Sequence, residues 1–452
     1  MWSIINPLRA GLVSLVLASV LFTEVEGQTQ TSPENTSLTL GSVLEAAKAN
    51  SRLIRAAELR IDEAEGNLTQ ARVLLIDNPE LMASRARRSS EAGLGPFTSE
   101  FEIGFEQRFE IGGQRGKRIG LATAEIAAAQ DDFRDTERAV TFTVALAFNE
   151  GLAAQALLEV AERQEALSQD LLSLAQRRLD AGVGTQLELN AAIVRLAEAR
   201  RTSLIERRKL AEADLLLRRL SGLDPEGPLV LEGILPRLAV PVVEEVFVSR
   251  AMTYRPDLAV AIQRVQAASE ARSLATAEGW PDITLDASFG QEEGEDLVRA
   301  GLRLPLSLFN RNQGHRGATR AAYNREVELR EDLRLEVERE VRTAVRSYQQ
   351  AGAALLLYDA DVLRAQQESL DLVQLAAEEG ELSIADVLVV QREVLDGLRG
   401  YLTVRLGVAQ ARARLLASVS LPQNTDLNGE IQCMFSKRAV HPRCFSWLLS
   451  SR

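Results

Sequence analysis

Set against itself at a shift of about 198 residues, this chain of 452 residues repeats its own pattern. Gly182 falls on Gly380, Thr185 on Ser383, Glu188 on Asp386, and Gly116 on Gly314. Asn78-Pro79-Glu80-Leu81 meets Trp280-Pro281-Asp282-Ile283 after a small change of register. Whatever one half folds into, the other half must fold into again.

Each copy reads in one order. Apolar periodicity predicts a helix near 42–76, repeated near 244–277, that stops at Pro79 or Pro281. Two strand-like runs follow, near 79–90 and 97–110 in the first copy and near 281–290 and 297–309 in the second. A long helix near 116–180, or 314–379, leads through a glycine-containing turn into a helix near 185–220, or 385–419. At about 1.5 Å per residue the long helix reaches about 100 Å, and the two shorter ones end to end match it. Leu172, Ala175 and Leu179, and later Val387, Val390 and Val394, keep the three-and-four spacing of a buried helical seam. The domain plan is therefore 42–222 and 244–420 as the two units, joined by a linker at 223–243, with an extension at 28–41 and a tail at 421–452.

The strands alternate. Phe101, Ile103, Phe105 and Phe109 share one face, opposite Glu102, Gly104, Glu106 and Arg108. In the second copy Ile283, Leu285, Ala287 and Phe289 oppose Thr284, Asp286 and Ser288, and Val298, Ala300, Leu302, Leu304 and Leu306 oppose Arg299, Gly301 and Arg303. Such runs suit membrane strands, apolar toward lipid and polar toward a lumen; soluble hairpins packed on helices are the alternative. The first run alternates badly, because Arg85, Arg87 and Arg88 crowd it. Four strands cannot close a barrel in lipid, where sheet edges are intolerable and about eight strands are the minimum. The membrane reading thus requires several chains, and three would supply twelve strands.

Residues 1–27 read as a secretory signal: Arg9 precedes the apolar stretch 10–22, and the chain turns polar from Gln28. An uncleaved anchor is the alternative, because Val25-Glu26-Gly27 poorly fits the small-x-small cleavage pattern. Beyond it, no segment approaches the about 20 apolar residues of a spanning helix. The formal net charge of −12 argues against a nucleic-acid partner. Both cysteines, Cys433 and Cys444, lie in the tail, either as a pair or as free thiols, so the body carries no disulfide. With only His315 and His441 present, histidine-based metal or acid–base chemistry has little support. The run 113–118 lacks the Ser or Thr of a phosphate loop, Arg118 standing in its place. No catalytic residues, cofactor or resident metal site is expected.

At the tips 182–189 and 380–387 and the strand-to-helix junctions 107–116 and 304–314, the chain resembles the TolC-like outer-membrane efflux factors over about 38–420. The junctions look most like the heavy-metal (CzcC/CusC-like) branch. The resemblance implies a predominantly α-helical chain whose duplicated helix–β-hairpin–long helix–helix unit forms, in a homotrimer, an outer-membrane β-barrel and a long periplasmic α-helical barrel. It implies a passive channel with no catalysis of its own. A periplasmic adaptor protein and an inner-membrane pump, of the proton-driven resistance-nodulation-division type, would work with it, and outer-membrane lipid would surround the barrel.

Carried onto this sequence, the resemblance places Glu188 and Asp386 at a periplasmic constriction, where carboxylates around the trimer axis would favour cations. The plainer reading makes each a solvated acid at the first turn of its helix. Gly182, Gly184, Thr185, Leu187, Gly380 and Ser383 become candidates for the adaptor-docking tips. Leu382 stands where the pattern would have an arginine lock and Val389 where it would have a further acid, so a salt-bridged gate is not expected. Heavy-metal cations are the expected cargo. A type I secretion or drug-efflux channel of the same fold is the alternative, and a periplasmic coiled-coil adaptor a weaker one.

Overall fold

The computed structural model describes residues 37–88, 98–223, 230–236, 239–292, 295–358, 360–379, 381–425 and 427. The first copy runs β1 (Ser37–Leu38), α1 (Leu40–Asn50), α2 (Arg52–Ala71), β2 (Glu80–Arg88), β3 (Thr98–Phe109), α3 (Gln114–Asp180) and α4 (Gln186–Ser221). After β4 (Val230–Leu231), the second runs α5 (Glu244–Tyr254), α6 (Pro256–Ala277), β5 (Ile283–Glu292), β6 (Glu295–Arg303), α7 (Gln313–Leu355), α8 (Ala360–Glu379) and α9 (Ile384–Ser418).

The leading helix of each copy is two helices, not one. In the second copy Pro256 bars helical geometry from the residue before it, and Arg255 is extended (φ −73°, ψ 124°). Ser51 takes the same conformation (φ −65°, ψ 123°) without a proline, and the Asn50 side chain beside it donates to the Ser221 carbonyl at 3.1 Å. Neither proline after these helices is what ends them. Helix α2 stops at Ala71, where Arg115 donates to the Arg72 carbonyl at 2.9 and 3.2 Å, and the connector 73–79 then carries the chain to the sheet. Helix α6 closes through a turn, Trp280 donating to the Ala277 carbonyl at 3.0 Å, before Pro281 is reached.

The copies also differ in their long helix. Helix α3 runs unbroken for 67 residues, whereas its counterpart is interrupted between α7 and α8. There Leu357 and Tyr358 donate to carbonyls only three residues back, and the Tyr358 ring packs on Tyr401 of α9 with centroids 5.6 Å apart. An 18-residue window of α3 is long and apolar enough to cross a membrane, which corrects the expectation that no segment beyond the signal comes close. Half of that window is buried against the chain's own helices, α3 packing along α2, α4, α6 and α9.

Two equivalent cores hold the helices together. Val140, Val144, Phe148 and Leu217 centre the first, and Val337, Val341, Val345 and Leu415 the second. Their members repeat at a shift of 197 to 198, so the duplication read from the tips is also the duplication of the core. A third cluster joins both hairpin tips, through Leu171, Ala175 and Leu189 from one and Val373, Ile384 and Val387 from the other. The linker contributes β4, paired in parallel with β1, so it is a built part of the first core. The tail begins inside the second: Leu421 and Leu427 are buried there, and Gln423 donates to the Ala413 carbonyl at 3.2 Å. Residues 1–36 and 428–452, with the expected signal, Cys433 and Cys444, lie outside the described residues.

All four long strands form one antiparallel sheet in the order β2-β3-β5-β6. The two hairpins meet at β3 and β5, in the register Phe101 to Gln291 through Phe109 to Ile283. This leaves β2 and β6, nine residues each, as the free edges within one chain. Despite its arginines, the run that alternated poorly is a full strand, because Glu80 to Arg88 pair in unbroken register with Glu106 to Thr98.

Candidate conducting face and hairpin tips

Cross-strand register sorts the sheet's side chains onto two unlike faces. On one, Leu81, Phe105, Ala287 and Ala300 form a row, and Ala83, Ile103, Phe289 and Val298 the next. The large members of these rows are exposed: Leu81 and Val298 at 76%, Ile103 at 50%. From Ile103 to Phe109 this band rises about 20 Å at about 3.4 Å per residue, within the about 25 Å apolar belt of membrane barrels, and the row above it, Arg85, Phe101, Gln291 and Asp296, is mostly polar. An exposed apolar surface of this extent is a site of contact with lipid or with another chain.

The opposite face is charged and knitted. Arg299 reaches Glu102 at 3.2 Å and Glu292 at 2.7 Å; Arg303 reaches Glu106 at 3.0 Å and Asp286 at 3.9 Å. The Ser288 hydroxyl donates to Glu102 at 2.7 Å. Small residues let these long side chains lie flat: a Cβ on Gly301 would stand 2.5 Å from the Asp286 carboxylate. By register seven carboxylates fall on this face, Glu80, Glu100, Glu102, Glu106, Asp286, Glu292 and Glu295, against four arginine positions, 88, 108, 299 and 303, so the face is net acidic.

Where sheet meets helices, Arg108 pairs with Asp77 at 2.7 Å and faces Asp282 at 3.6 Å, and Gln114 donates to Asp282 at 3.0 Å. Burial lifts the Asp282 carboxyl above its usual range against the pull of Arg108, and Glu110 and Asp77 add to the rise. Glu110 is itself paired with Arg118, both largely buried.

At the other end of the molecule the tips are built by capping. In the first, Gly182 takes the left-handed conformation (φ 73°) that a side chain resists, and Val183 and Gly184 donate to the Arg178 carbonyl at 3.0 and 2.9 Å. Thr185 then caps α4. Its hydroxyl accepts from the Glu188 backbone N–H at 3.2 Å, and the Glu188 carboxylate accepts from the Thr185 N–H at 2.9 Å. In the second tip Ser383 caps α9 the same way, accepting from the Asp386 N–H at 3.2 Å and donating its hydroxyl proton to the Asp386 carboxylate at 2.7 Å. Glu188 thus takes the capping role of the plainer sequence reading, while the Asp386 carboxylate is held by the hydroxyl of Ser383, which caps α9. Leu187 projects at 77% exposure beside Val183 at 69%, Leu382 packs in the shared tip cluster, Val389 is exposed, and Gly380 lies outside the described residues.

Sequence reasoning missed a buried ionic knot midway along the molecule. Arg255, 5% exposed, binds Asp257 through two nitrogens at 3.0 and 2.6 Å, Glu340 at 2.7 Å, and the Ser418 carbonyl at 3.1 Å. Arg138 reaches the neighbouring Ala417 carbonyl at 3.1 Å. The Arg255-Pro256-Asp257 run was the available signal, since a proline there breaks the helix and frees the preceding side chain to turn inward.

Comparison with known proteins matches the family described as outer membrane efflux protein to residues 43–223 and 247–420, one stretch in each copy. The cobalt-zinc-cadmium resistance protein CzcC of Cupriavidus metallidurans is 25% identical over 372 residues, covering 81% of this chain and 86% of that one. The pyoverdine export outer membrane protein OpmQ of Pseudomonas aeruginosa is also 25% identical, over 84% of each chain. Among solved structures the outer-membrane channel OprN superposes with a TM-score of 0.71 at 17% identity, over 85% of this chain and 90% of that one. The two-faced sheet, the duplicated hairpins and the family match in both copies agree, and the chain belongs to the outer membrane efflux protein family, as an outer-membrane channel with a large periplasmic helical portion.

Proposed function

We propose that three copies of this chain close a twelve-stranded barrel, and that the channel passively conducts heavy-metal cations delivered by a periplasmic adaptor and a proton-driven inner-membrane pump of the resistance-nodulation-division type. The observation that carries the barrel is the sheet with one exposed apolar face, one ion-paired face and two free nine-residue edges. In lipid those edges must be paired, and joining β6 of one copy to β2 of the next satisfies them. The ion-paired face then lines the pore, and the exposed Val183 and Leu187 lie on the tips, with Gly182, Gly184, Thr185 and Ser383 shaping the surface the adaptor meets.

Cation cargo is supported by the acidic excess on the lining face, by Glu188 and Asp386 at the two tips, and by the likeness to CzcC. The equal likeness to OpmQ favours a second reading, export of small organic chelators. Deleting the gene and measuring growth on zinc, cobalt, cadmium, copper or silver separates them. Sensitivity to one or more metals is expected; unchanged metal tolerance with altered drug tolerance would exclude metal export. Native mass spectrometry of the purified channel should find three chains.

A further inference from the structure

The two copies leave the sheet differently. Strand β3 reaches α3 through four residues, 110–113, tucked so closely that a Cβ on Gly112 would stand 2.7 Å from the Ala277 carbonyl. Strand β6 reaches α7 through nine, 304–312. The added length is apolar and its large side chains stay outside: Leu304, Leu306, Leu308 and Phe309 are 43%, 72%, 62% and 92% exposed. In the row that Leu302 shares with β3, Gln107 is only 4% exposed, because the connector 73–79 covers it and the Asp77 carbonyl accepts from its amide at 3.1 Å. Among the described residues nothing covers 304–309 in the same way.

The segment is nonetheless knitted into one shape. Leu308 donates its N–H to the Leu306 carbonyl at 2.8 Å, and Arg311 Nε donates to the Ser307 carbonyl at 3.3 Å. The Gln313 amide spans the loop, donating to the Phe309 carbonyl at 3.2 Å and accepting from the Arg311 N–H at 2.8 Å. Asn312, in the left-handed conformation (φ 58°), pins its end to α6 by donating to the Ala275 carbonyl at 3.0 Å and to Glu278 at 3.2 Å. An apolar segment held exposed by its own hydrogen bonds is a contact surface.

Charge identifies the partner. After Phe309 come Arg311, His315, Arg316 and Arg320, and the first acid of α7 is Glu326. The first copy does the same: Arg115, Lys117 and Arg118 open α3, whose first acid is Glu125. A helix N-terminus disfavours cations, since its own N–H groups already carry positive charge. That both copies place them there, in a chain of net charge −12, points to an anionic layer at this level. Arg311, Arg316 and Arg320 are exposed and pair with no carboxylate among the described residues. Leaving the sheet, the chain thus presents apolar side chains first and cations next, the order of acyl chains and phosphates at the edge of a bilayer core.

We propose that residues 304–320 form a membrane foot. Leu306, Leu308 and Phe309 enter the acyl region of the periplasmic leaflet where the apolar band of the sheet ends, and Arg311 and Arg316 bind the phosphates of its anionic phospholipids. This assignment rests on the reading that the apolar face meets lipid.

The test uses the full-length channel reconstituted in phosphatidylcholine vesicles whose chains are brominated either near the headgroup or near the bilayer centre. Phe309→Trp, read as the difference from wild type, should lose its added emission to the shallow bromines more than to the deep ones. Phe105→Trp, inside the apolar band, should show the reverse order. In vesicles of equal phosphatidylglycerol and phosphatidylcholine, the channel recovered in mild detergent should retain the anionic lipid in excess. Arg311→Gln or Arg316→Gln should each lower that excess about fivefold, the factor one arginine at an anionic surface supplies. Emission from position 309 that is quenched by aqueous iodide, or shielded from both iodide and lipid, overturns the proposal, since the foot would then stand in water or against the neighbouring copy. So does an excess of phosphatidylglycerol that neither arginine variant lowers. If Phe105→Trp also escapes the brominated lipid, the barrel reading itself has failed, so the two failures are distinct.

Discussion

Arg255 and Glu340, 85 residues apart, meet at 2.7 Å in the middle of the second copy, and the same guanidinium holds the last carbonyl of α9. Burial alone would weaken its charge; Asp257 and Glu340 outweigh that and hold its pKa above the usual arginine value. Its removal leaves Asp257 desolvated and unties the α5–α6 junction from the body of α7 and the end of α9. Arg255→Met should therefore destabilise the fold by about 3–5 kcal/mol. Thermal unfolding followed by circular dichroism checks this, and a change under about 1 kcal/mol would show the knot to be replaceable by packing.

Asp282 gives a pH dependence of the opposite sense to an ordinary ion-paired acid. Because burial raises its folded-state pKa, its contribution to stability is present below the unfolded value of about 3.9 and is lost as pH rises through the folded one. Asp282→Asn can still accept from Gln114 and carries no charge. Relative to wild type, the variant should gain thermal stability as pH goes from about 4 to about 7. A melting-temperature difference that is flat or falls over that range would contradict it.

How much of this was legible in the sequence depends on how local each cause is. The caps were: a hydroxyl residue and an acid three positions on, Thr185 with Glu188 and Ser383 with Asp386, fix the tips with no help from the rest of the chain. The alternation of β3, β5 and β6 was legible for the same reason. Strand β2 was not, because Arg85, Arg87 and Arg88 obscure its period and its pairing comes from β3. The break between α7 and α8 is set by a contact between Tyr358 and Tyr401, which no window of sequence contains. Gln107 was visible as a polar residue in an apolar row, but its burial comes from a connector that the reading had counted as helix.

The two tip acids combine a structural and a proposed electrostatic role, and substitutions can divide them. Glu188→Gln and Asp386→Asn keep an oxygen acceptor for the cap while removing the charge. Together they should leave the melting temperature nearly unchanged and reduce cation preference in planar bilayers. Thr185→Ala should do the reverse, costing about 1 kcal/mol with selectivity intact. Unchanged reversal potentials in the double variant would show that these carboxylates do not face the ion path.

Arg299 and Arg303 make a sharper case within the proposed barrel, because their ion pairs are half exposed and so contribute little to stability, about 0–1 kcal/mol each. Their charge is a different matter. They are the cations opposing Glu102, Glu106, Asp286 and Glu292, and neutralising them leaves those four carboxylates facing the pore unopposed. In the Arg299→Gln, Arg303→Gln channel, cation over anion permeability should rise, and the rise should shrink at high salt as screening shortens to about 3 Å at 1 M. The barrel should still assemble. If the permeability ratio instead stays fixed at low salt while the channel conducts normally, the ion-paired face does not line the pore.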